Sequence, residues 1–340
     1  VINSLLIEMG LTTPPQKTNK EVRTTVDGYP IAIFHRETAS DTLEFVGKYN
    51  FNNDKSTADT FGFSEGDESW EFSNNTSDRC LFKSADFSGT DWMNDFESRY
   101  PDDDAINAEY EAGTRKPEKL MAVTSWVVST KDNLDKFKNE VRNHFNIDNL
   151  IAYYLITELF GMVDQRAKNM FLTYFHEEGK WIFIFYDNDT CFGLNNEGLI
   201  AFGYNIEYHD KIGTLNVWNG ESSVLWNNLE KCFPSEIEAM YKDIRTRGLL
   251  SYDLIMSVLN GEQSDKWCEA IYNADGRFKY IDPLIEEGNG SYLYAAQGSR
   301  IENRKWWTYN RFLYIDSKYT AGSFLSDFAT LRLYTPREWT

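Results

Sequence analysis

The chain reads as an α+β protein: a small β-rich portion followed by a larger, mainly helical one that contains a β-hairpin. Three observations point there. Short β-like runs and turns fill residues 1–102, and helical spacing of apolar residues takes over from about 103. Two apolar strands joined by His176-Glu177-Glu178-Gly179-Lys180 then interrupt the helices.

In the β-rich part, residues 1–10 have the pattern of an amphipathic helix end, with Ile2, Leu5, Leu6 and Met9 on one face and Gly10 as its stop. Pro14-Pro15 forces extended chain. Residues 22–26 and 31–34 around Asp27-Gly28 predict a hairpin, because that pair suits the positive φ of a tight primed turn. Residues 69–73 and 80–83 are further strand candidates. Helices are expected at 105–112, 117–128, 131–145 and 147–161, with Asp132 and Asp148 near helix starts. The strands 168–175 and 181–186 follow, then helices at 222–230, 234–246, 250–260, 264–273 and 299–317. The division expected is 1–102, 103–325, and a following segment that begins at 326.

Composition narrows the function classes. The 340 residues carry 34 Lys and Arg against 53 Asp and Glu, a net charge of −19 that argues against a duplex-binding surface. With 41% apolar and 16% aromatic residues, the chain is built to bury a core. Its longest apolar stretch, 150–163, is too short to span a bilayer. Cys80, Cys191, Cys232 and Cys268 stand apart without a CxxC pair, and the four histidines are scattered without HExxH. No Walker A or G-x-G-x-x-G pattern occurs. Asp102-Asp103-Asp104 lacks the spacing of a calcium loop and suits a solvated helix start. The aromatic helix at 300–318 suits core packing.

The chemistry concentrates around the later hairpin. Asp164-Gln165-Arg166-Ala167-Lys168-Asn169 precedes it, and Tyr186-Asp187-Asn188-Asp189 follows it. Taken singly, each also describes an ordinary loop. Together they bring oxygen-bearing side chains to one edge of a hairpin, the layout that Mg²⁺-dependent phosphoryl transfer needs. Asp164 would be the base or orienting group. Asn169 and Asp187 would be hard-oxygen ligands, Asp189 a further one, and Lys168 or Arg166 would balance phosphate charge.

These stretches, with Gly179-Lys180-Trp181 and Cys191-Phe192-Gly193, resemble the CotH-type (spore coat protein H) kinase family. So do the segment from Leu5 to Pro14 and the hairpin through Asp27-Gly28. The resemblance implies an atypical protein-kinase-like two-lobed fold, ATP as donor, Mg²⁺ as cofactor, and Ser or Thr of a protein as acceptor. Carried over by position, Asp164 is its catalytic Asp, and Asn169 and Asp187 are its metal ligands. Arg166 stands where the family often has His, and Phe185-Tyr186 where it often has Pro-Trp. For the nucleotide, the candidates are Lys48 and the pair Arg36-Glu37. The first lobe is expected to be incomplete at its start, the chain being read as a piece of a longer one. Residues 297–319 also resemble phage structural proteins carrying CotH-like domains. The alternative is therefore a non-catalytic module of a spore coat, cell surface or phage particle, partnered by coat or virion proteins. A spore surface, cell surface or virion is expected over a free cytosolic location.

Overall fold

The computed structural model describes residues 2–26, 28–195, 201–259 and 300–320. The chain opens with α1 (Ile2–Glu8) and α2 (Pro14–Thr18), then β1 (Gly28–His35), β2 (Glu44–Asn52), the short α3 (Ala58–Phe61) and β3 (Glu68–Phe72). A 3₁₀ turn at Asp91–Asn94 leads into β4 (Phe96–Tyr100). Four helices follow: α4 (Asp104–Glu111), α5 (Glu118–Ser129), α6 (Leu134–His144) and α7 (Ile147–Phe160). Next come β5 (Met170–Phe175) and β6 (Lys180–Phe185), and the two-residue strands β7 (Lys211–Ile212) and β8 (Leu215–Asn216). The described part closes with α8 (Val224–Cys232), α9 (Pro234–Thr246), α10 (Tyr252–Leu259) and α11 (Arg300–Thr320). The mixed α+β class is as expected. Among the described residues no helix is long and apolar enough to cross a membrane.

The hairpin β5–β6 forms with Met170 opposite Phe185 at its open end and Phe175 opposite Lys180 at its turn. It is not an isolated insertion. It belongs to a four-stranded antiparallel sheet of order β4-β3-β5-β6. Both of its faces are apolar, so both must be covered. Met170, Leu172, Trp181, Phe183 and Phe185 join the main core with Trp70 and Phe72 of β3. Phe171, Phe175, Ile182 and Ile184 form a second cluster with Phe61 and Phe63. That two-residue alternation is the strand period at work.

Helix α7 is buried on every side from Asn149 to Phe160, which explains why its sequence shows no polar face. It also protects β6. The Asn149 side chain accepts from the Phe183 N–H (2.7 Å) and donates to the Phe183 carbonyl (3.2 Å), satisfying a sheet edge that would otherwise be unpaired.

Several sequence expectations need correction. Pro14-Pro15, read as extended chain, instead opens helix α2, since proline suits the first helical turn. Residues 22–26 do not pair with 31–34. Thr25 instead bridges Phe185, and the Val26 N–H bonds the Phe185 carbonyl (3.0 Å), while β1 pairs with β2. The tight turn does not form because the backbone of Thr25 and Val26 is taken up at Phe185, on the edge of the main sheet. Residues 80–83 form turns, with Phe82 at φ 52°, and not a strand. The caps of α6 and α7 are Asn133 and Asn146, whose side chains accept from Lys136 and Asn149 N–H groups, with Asp148 within the first turn. Asp103 caps α4, as a solvated helix start requires. The helix expected at 264–273, Asp27, Cys268 and residues 326–340 lie outside the described residues.

Candidate functional site

Antiparallel pairing dictates the geometry. With the turn at one end, the residues just before β5 and just after β6 must meet at the other. Asn169 directly precedes β5, and Asp187 is the second residue after β6. The Asn169 N–H donates to the Phe72 carbonyl (3.0 Å), anchoring it also to β3. Both adopt left-handed backbone, φ 54° at Asn169 and 52° at Asp187. Asn and Asp tolerate that region better than other non-glycine residues, yet it still carries strain.

Asp164 arrives from the other side. Helix α7 ends at Gly161, whose φ of 58° reverses the chain; a Cβ there would come within 2.9 Å of the Trp307 ring. The loop after it is pinned at several points. Tyr153 Oη donates to the Gln165 carbonyl (2.8 Å), Trp226 Nε1 to the Arg166 carbonyl (2.8 Å), and Gln165 Nε2 to the Asp187 carbonyl (2.6 Å). The last bond ties the Asp164 loop directly to the Asp187 loop.

Asn169 Nδ2 donates to Asp164 Oδ2 (2.9 Å), which leaves Asn169 Oδ1 free for other duty. Asn219 Nδ2 donates to Asp164 Oδ1. Lys168 Nζ stands 3.9 Å from Asp164 Oδ2, a loose contact on a partly exposed side chain. Burial pushes the Asp164 carboxyl above its ordinary value, and the Asp187 charge adds to the rise, against Lys168 and the Asn219 amide. Partial burial likewise raises Asp187, with Asp189 reinforcing it, and raises Asp189, with Asp164 reinforcing it. The three carboxylates thus feel one another, and a cation between them would relieve the repulsion.

A second feature has no counterpart in the sequence reading. Lys55 Nζ bonds Tyr186 Oη (2.7 Å) and Glu71 (3.1 Å). Arg99 Nε bonds the same Glu71 carboxylate (2.7 Å). The Lys55 charge reaches Asp187, so this group borders the carboxylate cluster. Lys55 precedes α3, which helps cover the second sheet face, and Glu71 projects from that face of β3. Alternation along β3, with Trp70 and Phe72 turned to the main core, is the signal that could have singled out Glu71.

The other candidates are not drawn in. Arg166 is turned into the core: it is 0% exposed, bonds the Tyr154 carbonyl (2.9 Å) and pairs with Glu158 (3.3 Å). The rings of Tyr154, Tyr208 and Trp218 surround it, which leaves it no path to a phosphate and corrects the charge-balancing role expected for it. Arg36 and Glu37 are exposed in the turn between β1 and β2, where Arg36 bonds the Ala39 carbonyl (3.0 Å). Lys48 pairs with Ala32 along the hairpin backbone, and its side chain lies outside the described residues.

Hard oxygen donors suit a magnesium ion, and the loops hold oxygen atoms without hydrogen-bond partners, namely Gln165 Oε1 and Asn188 Oδ1. Among the described residues no three His, Cys, Asp or Glu side chains form a metal cage by themselves. An ion here would depend on Asn169 and on ligand oxygens.

A pair of loops crossing the open end of a hairpin, with carboxylates and amides converging, defines the class of site. A family model described as CotH kinase protein matches residues 51–252, from the end of β2 to the start of α10, and the chain belongs to that family. No curated protein matches the chain.

Proposed function

We propose that this chain is a phosphotransferase with a kinase-like two-lobed arrangement, transferring the γ-phosphoryl group of ATP to a Ser or Thr hydroxyl of a protein, with Mg²⁺ as cofactor. The observation that carries the reading is the convergence of Asp164, Asn169 and Asp187, from the two flanks of one hairpin, into a single coupled cluster. CotH family membership supports it.

In this reading Asp164 accepts the hydrogen bond of the incoming hydroxyl. It takes that proton as the new P–O bond forms and the bond to the leaving β-phosphate oxygen breaks. Asn169 Oδ1, Asp187 and Asp189 would hold the ion, which when bound supplies charge neutralisation to the phosphates. Lys168, loosely held beside Asp164, turns its charge to the transferring group. Lys55, steadied by Glu71 and Tyr186, takes the role of phosphate cation expected of Lys48.

A second reading, a non-catalytic interaction module, is favoured by one feature. The hairpin β1–β2 forms its own two-stranded sheet and exposes Phe34, Tyr49 and Phe51. Radiolabelled phosphate transfer from ATP, with wild type set against Asp164→Asn, separates the two. Transfer lost in the variant supports the enzyme, and nucleotide binding with no transfer in either supports the module.

A further inference from the structure

Both oxygens of the Asp164 carboxylate are engaged by amides, and the second amide comes from a distant part of the chain. Asn219 lies in the loop before α8. Its own N–H donates to the Val163 carbonyl (2.8 Å), beside Asp164, and its Nδ2 reaches Asp164 Oδ1. Its Oδ1 in turn accepts from Asn75 Nδ2 (2.9 Å), in the loop after β3. The orientation is forced, since a carboxylate offers no proton and Asn219 must present its NH₂ there, leaving its oxygen for Asn75. The supporting loop is closely packed as well. Gly220 lies at φ 90° against the Arg166 backbone, where a Cβ would come within 2.3 Å of the Arg166 carbonyl oxygen. Its own carbonyl accepts from Tyr208 Oη.

One donor on a carboxylate leaves rotation about Cβ–Cγ open, because that torsion is broad. A donor on each oxygen fixes the plane. We infer that Asn219, backed by Asn75, is a positioning residue that sets the plane of the Asp164 carboxylate toward the acceptor hydroxyl. Three loops that are remote in sequence thereby act as one: residues 73–75 through Asn75, 162–169 through Asp164, and 217–223 through Asn219. The inference rests on the phosphotransferase reading above.

The test is steady-state phosphate transfer from ATP by wild type, Asn219→Ala, Asn75→Ala and Asp164→Asn, with melting temperatures to verify folding. Asn219→Ala is expected to lower kcat about 10- to 100-fold while KM for ATP stays within about twofold, the signature of misplaced geometry without lost binding. Asn75→Ala, which keeps the donor on Asp164 but frees the far end of Asn219, is expected to give a smaller loss in kcat with the same unchanged KM. A folded Asn219→Ala chain with wild-type kcat overturns the inference, and so does a fall in kcat matched by equal loss of nucleotide affinity. If Asn219→Ala does not fold, Asn75→Ala decides: a lowered kcat at unchanged KM supports the inference and an unchanged kcat overturns it. Wild type no more active than Asp164→Asn overturns the phosphotransferase reading itself, and the inference with it.

Discussion

Asn169 donates its side-chain amide to Asp164 across 2.9 Å, five residues apart in sequence, while its own backbone is bent into the left-handed region. The strain and the bond belong together. A left-handed residue immediately before β5 turns the carboxamide back toward the loop it has just left, so one side chain faces the acidic partner through nitrogen and keeps its oxygen available. Replacing Asn169 by Ala should abolish transfer and Mg²⁺-dependent nucleotide binding together. Asp at this position should retain a hard oxygen but repel Asp164, giving weak metal binding and little transfer. Isothermal titration with ATP and Mg²⁺ reads both.

Asp164→Asn should remove the proton acceptor without removing shape. Transfer is expected to fall by about 10²- to 10⁴-fold, the usual worth of a positioned acid or base, with nucleotide affinity preserved. Phosphate release into an acceptor protein, measured beside a thermal melt, checks the pair of expectations.

Asp187→Ala should eliminate the stabilisation that ATP and Mg²⁺ confer. A ligand at about 100 times its Kd adds about 2.7 kcal/mol to a chain that binds it folded. Thermal shift with nucleotide and metal, against each alone, makes the measurement. Lys55→Ala should weaken the same shift, through loss of the cation steadied by Glu71 and Tyr186, without eliminating the response to metal.

Without ligand, the acidic cluster costs stability. Asp187 and Asp189 are held above their ordinary values by partial burial and by neighbouring carboxylates, Asp189 acting on Asp187 and Asp164 on Asp189, so the folded chain takes up their protons more readily than the unfolded one. Their relative contribution to stability is therefore greatest at low pH and is lost as pH rises through the raised values. Asp187→Asn should melt at a higher temperature than wild type at neutral pH, and the difference should narrow as the pH falls toward the ordinary Asp value of 3.8.

Glu158 behaves in the opposite sense. It is fully buried at the C-terminal end of α7, facing Arg166 (3.3 Å), Arg311 (3.6 Å) and Lys318 (3.4 Å), and so joins the Asp164 loop to α11. Burial opposes its charge, but Lys318, Arg166 and Arg311 outweigh it and hold the carboxyl below its ordinary 4.5. Its stabilisation is present above that ordinary value and lost as pH falls through the lowered one. Glu158→Gln should destabilise the chain by about 3–5 kcal/mol at neutral pH, because it leaves buried cations without their counter-charge. Urea denaturation at pH 7 and pH 4 tests both size and sign.

Much of this site was legible from local pattern. Alternation and length marked β5 and β6, and the open end of a hairpin must bring its two flanking segments together. Asn169 and Asp187 could therefore be paired from sequence, with Asp164 close behind an apolar helix. Periodicity also located α4 to α9 within a few residues, since each depends mainly on its own apolar spacing. The partners of those elements could not be read in this way. Residues 22–26 carried a convincing turn signal, yet Thr25 and Val26 lie beside Phe185 of β6, and Thr24 bonds Asn3 of α1.

What the sequence by itself determined was the class of fold, the hairpin and the short-range set of Asp164, Asn169 and Asp187, all matters of neighbours along the chain. Tertiary structure alone decided that Arg166 turns inward to Glu158 and its aromatic cage, that Lys55 meets Glu71 and Tyr186, and that Asn219 closes on Asp164 from 55 residues away. The physical reason is that a charged or amide side chain takes the partner that best offsets its desolvation. Packing of distant segments, which no local pattern encodes, sets which partner that is.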